Sequence, residues 1–178
     1  MRAVFLDRDG VINEDHGYIH KVEDLEILPG VIDGLKLLQH MGFVLIIVTN
    51  QSGIGRGFYT KEQYDLFHTE LLKRLGKEGI QIDKTYMCPH QPTDGCDCRK
   101  PSPKHAEDAE QEFGISLADS YIIGDHASDI GFGRNSGMTT VHILTGHGKK
   151  HGDIEADHQS EDFEDAVAWI EQIELQKA

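Results

Sequence analysis

The chain has 178 residues, of which 38% are hydrophobic and 27% are charged, and its formal net charge is −14. This length and composition favour one folded domain over residues 1–178 and exclude disorder of the whole chain. The negative charge disfavours nucleic acid and anionic membrane surfaces as partners. The longest apolar run, 43–48, is too short to span a bilayer, and no signal peptide is visible, so we expect a cytoplasmic protein.

Predicted strands and helices alternate along the chain. In chain order we expect strand 2–6, helix 31–41, strand 43–48, helix 61–75, strand 80–87, helix 102–113, strand 121–123, helix 128–135, a last strand 139–143 and a terminal helix 163–173. Such alternation predicts an α/β fold, a Rossmann-like parallel sheet with helices on both faces. His40, His68 and His105 lie on predicted helices and are expected at the surface.

The first candidate site is a pair of acids where the first strand ends. Asp7 and Asp9 lie two residues apart, and residues i and i+2 of an extended segment point the same way. Open parallel sheets bind ligands beyond the carboxyl ends of their strands. We therefore expect both carboxylates to face one crevice, although acid pairs of this kind also occur on ordinary surfaces.

Three further polar clusters lie at or near predicted strand ends. Thr49 follows the second strand, Lys100 brings a cation into an acidic protein, and Asp125 opens another acid pair after the fourth strand. Each has a structural alternative: a turn residue for Thr49, a solvated side chain for Lys100 and a helix cap for Asp125. The four clusters together favour one shared site.

These residue types fit phosphoryl transfer. A carboxylate can attack phosphorus and divide the hydrolysis into two steps through an aspartyl-phosphate. A hard divalent cation such as Mg²⁺, held by carboxylates, removes the repulsion between this nucleophile and the phosphate dianion. Lys100 and the Thr49 hydroxyl can hold the remaining phosphoryl oxygens.

The four clusters, in order, resemble the motifs of the haloacid dehalogenase superfamily of phosphatases, most closely its subgroup of heptose bisphosphate and histidinol-phosphate phosphatases. The resemblance is carried by Phe5-Leu6-Asp7-Arg8-Asp9-Gly10, Val48-Thr49-Asn50-Gln51-Ser52-Gly53 and Cys98-Arg99-Lys100-Pro101. It implies that Asp7 is the nucleophile, Asp9 the general acid/base, and Thr49 and Lys100 the groups that stabilise the phosphoryl group. It also implies Mg²⁺ held by Asp7, the backbone carbonyl of Asp9 and Asp125. The short segment between Asp9 and the first predicted helix leaves no room for a cap domain.

A second constellation places all three cysteines and one histidine in the segment 88–98. Cys88, His90, Cys96 and Cys98 form a Cys₃His set, a standard tetrahedral ligand set for zinc. The alternative is three free thiols in a loop. We expect structural zinc in an embedded loop, 88–100, because four protein ligands leave no open coordination position. The family that the chain resembles has similar short zinc loops.

By the same resemblance, two further segments contact substrate: the run 15–18 resembles a substrate loop of the heptose bisphosphate phosphatases, and the run 53–57 resembles a second segment of that subgroup. The residues expected to bind substrate are Asp15, His16, Gly17, Tyr18, Asn50, Gln51, Ser52, Arg56 and Arg99. Arg56 and Arg99 suit the second phosphate of a bisphosphate, because arginine can bind phosphate oxygens in a bidentate manner.

The resemblance implies removal of the 7-phosphate of D-glycero-D-manno-heptose 1,7-bisphosphate, a small sugar phosphate. We expect a monomer rather than an oligomer. Histidinol phosphate is the alternative substrate, and His126 stands where the heptose enzymes are expected to carry lysine. A receiver-like signalling module, which holds an aspartyl-phosphate, is an alternative of another class with a similar sheet and acidic pocket. Asp9 disfavours it, because a proton-transfer group speeds turnover.

Overall fold

The molecule is built around one six-stranded parallel sheet. The computed structural model describes residues 1–151 and 153–178. The strands are β1 (Ala3–Leu6), β2 (Val44–Asn50), β3 (Lys84–Cys88), β4 (Tyr121–Gly124), β5 (Thr139–Ile143) and β6 (His158–Ser160), in the order β3-β2-β1-β4-β5-β6, and every neighbouring pair is parallel. The α-helices are α1 (Val31–His40), α2 (Ser52–Gly55), α3 (Lys61–Lys77), α4 (Lys104–Phe113), α5 (Ala127–Ser136) and α6 (Phe163–Lys177).

Side chains of β1 alternate between two hydrophobic layers, one on each face of the sheet. Val4 and Leu6 join a layer formed with α1, α3 and α6, whereas Ala3 and Phe5 join a layer that includes α4 and α5. All four residues are fully buried, as expected for a central strand of a covered parallel sheet. The prediction of a parallel sheet with helices on both faces is therefore confirmed.

The structure differs from the predicted elements at one strand, at the short helix α2 and at several boundaries. β6 pairs with β5 at the sheet edge, so the prediction that 139–143 is the last strand is wrong. The residues of β6 are polar and carry no hydrophobic pattern, and only pairing with β5 defines them as a strand. β3 starts at Lys84 rather than at residue 80, and α4 starts at Lys104 rather than at residue 102.

One histidine predicted at the surface is buried. His68 on α3 is only 8% exposed, its ring stacks on Tyr64, and its Nε2 shares a hydrogen bond of 2.9 Å with the Thr85 hydroxyl. Burial, reinforced by the charge of Arg8, lowers the pKa of His68 to about 4. The surface prediction fails because His68 lies four residues after Tyr64, on the helix face that packs against the sheet.

Loops that follow the carboxyl ends of the strands border the candidate site. The segment between β1 and α1 contains one 3₁₀ turn, Val22–Asp24, and the segment between β3 and α4 contains neither helix nor strand.

Among the residues described, none of the helices combines the length and the apolar character that a membrane span requires.

Candidate active site

Asp7 enters the crevice directly from β1. Its backbone N–H donates to the Ile123 carbonyl of β4 at 3.1 Å, which continues the hydrogen bonding between these two strands. The chain then turns at Gly10, whose φ is +82° and where a Cβ would come within 2.3 Å of Asp125 Oδ2. Only glycine satisfies both this left-handed backbone and the close approach.

Lys100 connects the end of β1, strand β2 and helix α5 at the centre of the site. Its Nζ donates to Asp7 Oδ1 at 3.0 Å, to the Val48 carbonyl at 2.6 Å and to Asp129 Oδ1 at 2.6 Å. Asn50 holds the backbone of Lys100, accepting from its N–H at 3.1 Å and donating to its carbonyl at 3.3 Å. Burial lowers the pKa of Lys100, but the charges of Asp129 and Asp7 outweigh burial and raise it. Lys100 is 2% exposed, so the alternative of a solvated side chain is wrong.

A second pair of acids borders the crevice after β4. Asp125 and Asp129 are 2% and 0% exposed, and oxygens of Asp7, Asp125 and Asp129 all lie within 4.8 Å of one another. Asp125 Oδ2 accepts from the backbone N–H of His147 at 2.7 Å, and Asp129 Oδ2 accepts from that of His126 at 3.1 Å. Acids that follow the adjacent strands β1 and β4, and one acid on the first turn of α5, therefore converge at one place.

Burial and mutual repulsion raise the pKa values of Asp7 and Asp125. Burial, followed by the charges of Asp7 and Asp129, raises the pKa of Asp125 to about 9. Burial and the charge of Asp129 raise the pKa of Asp7 to about 6, even though Lys100 acts in the opposite direction. One lysine does not neutralise three buried carboxylates, and a hard cation bound to their oxygens would restore the charge balance. The donor set therefore fits Mg²⁺.

Asp9 lies in a different environment from Asp7. Arg8 donates to both of its oxygens, at 2.8 Å from Nε and 3.1 Å from Nη2, and Asn13 and Gln51 donate at 3.0 and 2.9 Å. Burial acts to raise the pKa of Asp9, but the charge and hydrogen bonds of Arg8, with those of Asn13 and Gln51, lower it overall. The pKa values of Asp7 and Asp9 are thus pushed apart, as is typical of acid/base sites.

Thr49 and Gln51 extend the network from Asp9 into β2. Gln51 Nε2 also donates to Thr49 Oγ1 at 2.8 Å, and the Tyr59 hydroxyl donates to Gln51 Oε1 at 2.5 Å. These partners fix the orientation of the Gln51 amide. Thr49 lies inside β2 and is 1% exposed, so the alternative that it is a turn residue is wrong.

The predicted zinc ligands come together in the loop after β3. Cys88 Sγ lies 3.5 Å from His90 Nδ1, 3.7 Å from Cys96 Sγ and 3.0 Å from Cys98 Sγ. Tetrahedral zinc with Zn–S bonds of about 2.3 Å separates its sulfur ligands by about 3.8 Å, so these four side chains fit one zinc ion. Arg99, adjacent to Cys98, donates to the His90 carbonyl at 3.3 Å. The cluster is therefore joined to a residue that reaches the crevice.

A cavity of about 290 Å³ opens between the groups of the crevice. His16 and Arg56 are exposed and do not line it, and Thr49 is buried beneath it. The predicted site residues that do line the cavity are Asp7, Asp9, Asp15, Gly17, Tyr18, Asn50, Gln51, Ser52, Arg99, Lys100 and Asp125.

Some residues of the site were given no role by the sequence. Asp129 is the second member of the acid pair that Asp125 opens, and it falls on the first turn of α5. His147 carried no sequence signal, because its place depends on how the loop after β5 folds toward Asp125. The additional residues that line or support the cavity are Arg8, Tyr59, His126, Ser128, Asp129 and His147.

Buried carboxylates, one lysine and a donor set for a divalent cation at the carboxyl edge of a parallel sheet form a phosphoryl-transfer site. A family model described as HAD-hydrolase-like matches residues 97–167. The chain is 44% identical over 136 residues to the D-glycero-beta-D-manno-heptose-1,7-bisphosphate 7-phosphatase of Yersinia pestis, with 72% of each chain covered. It is 41% identical over 153 residues to the D-glycero-alpha-D-manno-heptose-1,7-bisphosphate 7-phosphatase of Campylobacter jejuni, with 86% of this chain and 87% of that one covered.

The fold is similar to a crystal structure of the D,D-heptose 1,7-bisphosphate phosphatase from B. bronchiseptica, complexed with magnesium and phosphate. The TM-score is 0.89 at 31% sequence identity, and the match covers 100% of both chains. The fold and site are those of a phosphoric monoester hydrolase. The chain belongs to the family of haloacid dehalogenase-like phosphatases that contains these heptose bisphosphate phosphatases.

Proposed function

We propose that this enzyme removes the 7-phosphate of D-glycero-D-manno-heptose 1,7-bisphosphate in a Mg²⁺-dependent reaction. The observation that carries the proposal is that Asp7, Lys100 and Asp125 meet at one cavity. Asp9 lines the same cavity, and Arg8 binds its carboxylate. The identities of 44% and 41% to enzymes with this activity in their names support the substrate. These names differ in the anomer, and the proposal covers both anomers.

Asp7 is the nucleophile of this proposal. Its Oδ1 accepts hydrogen bonds from Lys100 Nζ at 3.0 Å and from the backbone N–H of Arg8 at 2.8 Å, which assigns the attack to Oδ2. Oδ2 bonds to phosphorus, the bond from phosphorus to the sugar oxygen breaks, and an aspartyl-phosphate remains. Water then attacks this phosphorus and releases inorganic phosphate, which restores the free Asp7 carboxylate.

Asp9 is the general acid/base. It donates a proton to the departing sugar oxygen in the first step and takes one from the attacking water in the second. Arg8 lowers the pKa of Asp9 in the free protein, whereas a phosphate dianion bound nearby raises it through like charge. A bound phosphate dianion therefore acts on the pKa of Asp9 in the direction opposite to Arg8, toward the protonated form that the first step requires.

Lys100 and Thr49 stabilise the transferring phosphoryl group. The three N–H donors of Lys100 are used by Asp7, Val48 and Asp129, so Lys100 acts on the phosphoryl group through the positive charge of an ammonium that these acceptors hold in place. Thr49 Oγ1 accepts from Gln51, which leaves its O–H to donate to a phosphoryl oxygen. Asp7, the Asp9 carbonyl and Asp125 would hold Mg²⁺, which supplies positive charge against the phosphate dianion when it is bound.

The remainder of the substrate binds along the cavity walls. Arg99 lines the cavity and is the candidate partner of the second phosphate, whereas Arg56 and His16 lie outside it. The other proposed contacts, with sugar hydroxyls and phosphate oxygens, are Asp15, Gly17, Tyr18, Asn50, Gln51 and Ser52. The zinc cluster has a structural role, because it fixes the loop that places Arg99 and Lys100.

The receiver-like alternative is set aside, because the chain belongs to a family of phosphatases. We further propose one domain over residues 1–178 that acts as a cytoplasmic monomer on a dissolved sugar phosphate. One continuous sheet from β1 to β6 supports the single domain, and a net charge of −14 opposes binding to nucleic acid.

Phosphorus NMR on purified enzyme tests the substrate and the position of cleavage together. Both anomers of the heptose 1,7-bisphosphate are compared with histidinol phosphate, with Mg²⁺ present or chelated. The expected result is loss of the 7-phosphate signal, retention of the 1-phosphate signal, and no turnover after chelation. Faster hydrolysis of histidinol phosphate, or loss of the 1-phosphate first, would contradict the proposed substrate.

A further inference from the structure

Tyr18 has an unusual backbone conformation at the mouth of the cavity. Its φ is +50°, and it is the single non-glycine residue with positive φ in the part of the chain that the structure describes. This left-handed conformation is unfavourable for a bulky side chain and persists only where neighbouring groups enforce it. Such outliers cluster at functional sites, so the groups that hold Tyr18 are informative.

Phe58, which does not line the cavity, packs against the Tyr18 ring. The two rings meet edge to face with centroids 4.8 Å apart, although Tyr18 is 47% exposed and Phe58 is 56% exposed. The absent side chain of Gly53 makes room, because a Cβ there would lie 2.1 Å from the Tyr59 ring and 3.0 Å from the Tyr18 ring. The backbone N–H of Phe58 donates to the Gly53 carbonyl at 2.9 Å, which fixes Phe58 relative to this gap.

A second set of contacts holds the backbone on both sides of Tyr18. The Tyr18 carbonyl lies 2.7 Å from His20 Nδ1, and the His20 ring stacks on Tyr59 at 4.8 Å. Before Tyr18, the Gly17 N–H donates to Asp15 Oδ1 at 2.8 Å. The loop 15–20 is therefore seated on the segment 53–59, and its conformation depends on that segment.

The rings of Tyr18 and Tyr59 differ in chemistry from most of the cavity wall. Most other lining groups are charged or hydrogen-bonding side chains, such as Asp15, Arg99 and His147. Sugars present apolar C–H surfaces as well as hydroxyls, and small-molecule sites combine aromatic surface with a few placed polar groups. Two large hydrophobic side chains in contact at the edge of a polar cavity are thus suited to the carbon chain of a substrate.

We infer that Phe58 is a positioning residue that presents Tyr18 as an apolar wall for the carbon chain of the sugar phosphate. This inference rests on the proposed function, because it concerns the part of the substrate beyond the reacting phosphate. Phe58 touches Tyr18 and not the reacting groups, so it acts on the choice of substrate and not on the chemical step.

The test compares kcat/KM for a sugar phosphate with kcat/KM for acetyl phosphate, which has a phosphate and no sugar. The sugar phosphate is whichever member of a panel wild-type enzyme hydrolyses best. Phe58→Ala is expected to lower the ratio of the two values by at least about 10-fold, mainly through KM for the sugar phosphate, since loss of apolar contact in a pocket changes discrimination by about 10–200-fold. Phe58→Tyr keeps the ring and is expected to restore the ratio. Leu66→Ala removes another exposed hydrophobic side chain, 66% exposed on α3, and is the matched control.

Hydrogen exchange of the loop 15–20 provides a second measurement. Phe58→Ala is expected to speed exchange in this loop, whereas Phe58→Tyr and Leu66→Ala leave it as in wild type. An unchanged ratio in Phe58→Ala, or equal losses for both substrates, would overturn the inference. If wild type prefers a sugar phosphate other than the heptose bisphosphate, the proposed function fails, and the ratio still decides the role of Phe58.

Discussion

The Arg8 guanidinium binds both carboxylate oxygens of its neighbour Asp9 and is itself completely buried. Tyr64 and Phe67 of α3 flank the guanidinium, with ring centroids 5.1 and 4.7 Å from its central carbon. Such contacts stabilise a desolvated cation. A residue between two candidate catalytic acids thus connects the active-site loop to a core helix.

We predict that Arg8→Ala costs about 3 kcal/mol of unfolding free energy, because removing one partner leaves the Asp9 carboxylate without its charge partner. Urea denaturation measures this. Lys61→Ala is the control, since it removes an exposed ion pair with Asp65 and should cost less than about 1 kcal/mol. Equal destabilisation by the two variants would show that the buried Arg8–Asp9 pair stabilises the protein no more than an exposed ion pair does.

Asp7→Asn is expected to abolish phosphate release, because an amide neither attacks phosphorus nor ligates Mg²⁺ well. Asp9→Asn is expected to slow kcat by about 10²–10⁴-fold, the usual contribution of a positioned acid/base. Steady-state phosphate release is the measurement, and the exposed Asp33→Asn on α1 is the control. Wild-type turnover by Asp7→Asn would remove it from the role of nucleophile.

One equivalent of zinc is expected to copurify with the reduced protein, and Cys96→Ser should lower that content. Because two hydrophobic layers form without the loop 88–100, loss of zinc should reduce activity more than it reduces Tm. Elemental analysis, calorimetry and kinetics on the same samples check this. A zinc-free wild-type protein with full activity would be incompatible with the predicted site.

Because His68 is buried, we predict that the free energy of unfolding falls in mild acid. Burial lowers its pKa from 6.5 to about 4 in the folded protein, so between these values the unfolded chain binds the extra proton. Stability from this group is therefore present above pH 6.5 and lost as pH falls toward 4, by about 3 kcal/mol at most.

Urea titrations from pH 7 to pH 4 measure this slope. His68→Gln is expected to flatten it, because glutamine does not take up the proton. His40→Gln, at an exposed position of α1, should leave the slope as in wild type. The same slope in wild type and His68→Gln would assign the acid sensitivity to other groups.

Arg99→Ala is expected to reduce the preference for the heptose bisphosphate over histidinol phosphate. One or more charged hydrogen bonds to the second phosphate, each worth about 1.5–3 kcal/mol, correspond to about 10–150-fold in kcat/KM. Arg56→Ala is the matched control, because Arg56 does not line the cavity. A larger effect of Arg56→Ala than of Arg99→Ala would place the second phosphate outside the cavity described here.

Patterns within short segments of the sequence were sufficient to predict the sheet, the metal cluster and the pair of acids after β1. The continuous apolar run 43–48 and the alternation of strands and helices predicted the sheet, and the spacing of Cys88, His90, Cys96 and Cys98 predicted a metal cluster that the structure brings together. Asp7 and Asp9 were predicted together because period-two geometry and the end of a strand act over a few residues.

By itself, then, the sequence determined the class of fold, the acids at the strand ends and the zinc ligand set, because each depends on neighbours along the chain. Only the tertiary structure decided that Lys100 bonds to Asp7, 93 positions away, that Arg8 turns inward to Asp9, and that Arg56 stays outside the cavity. These relations depend on how separate loops pack over one edge of the sheet. Local pattern does not specify that packing, because burial and charge balance are properties of the assembled site.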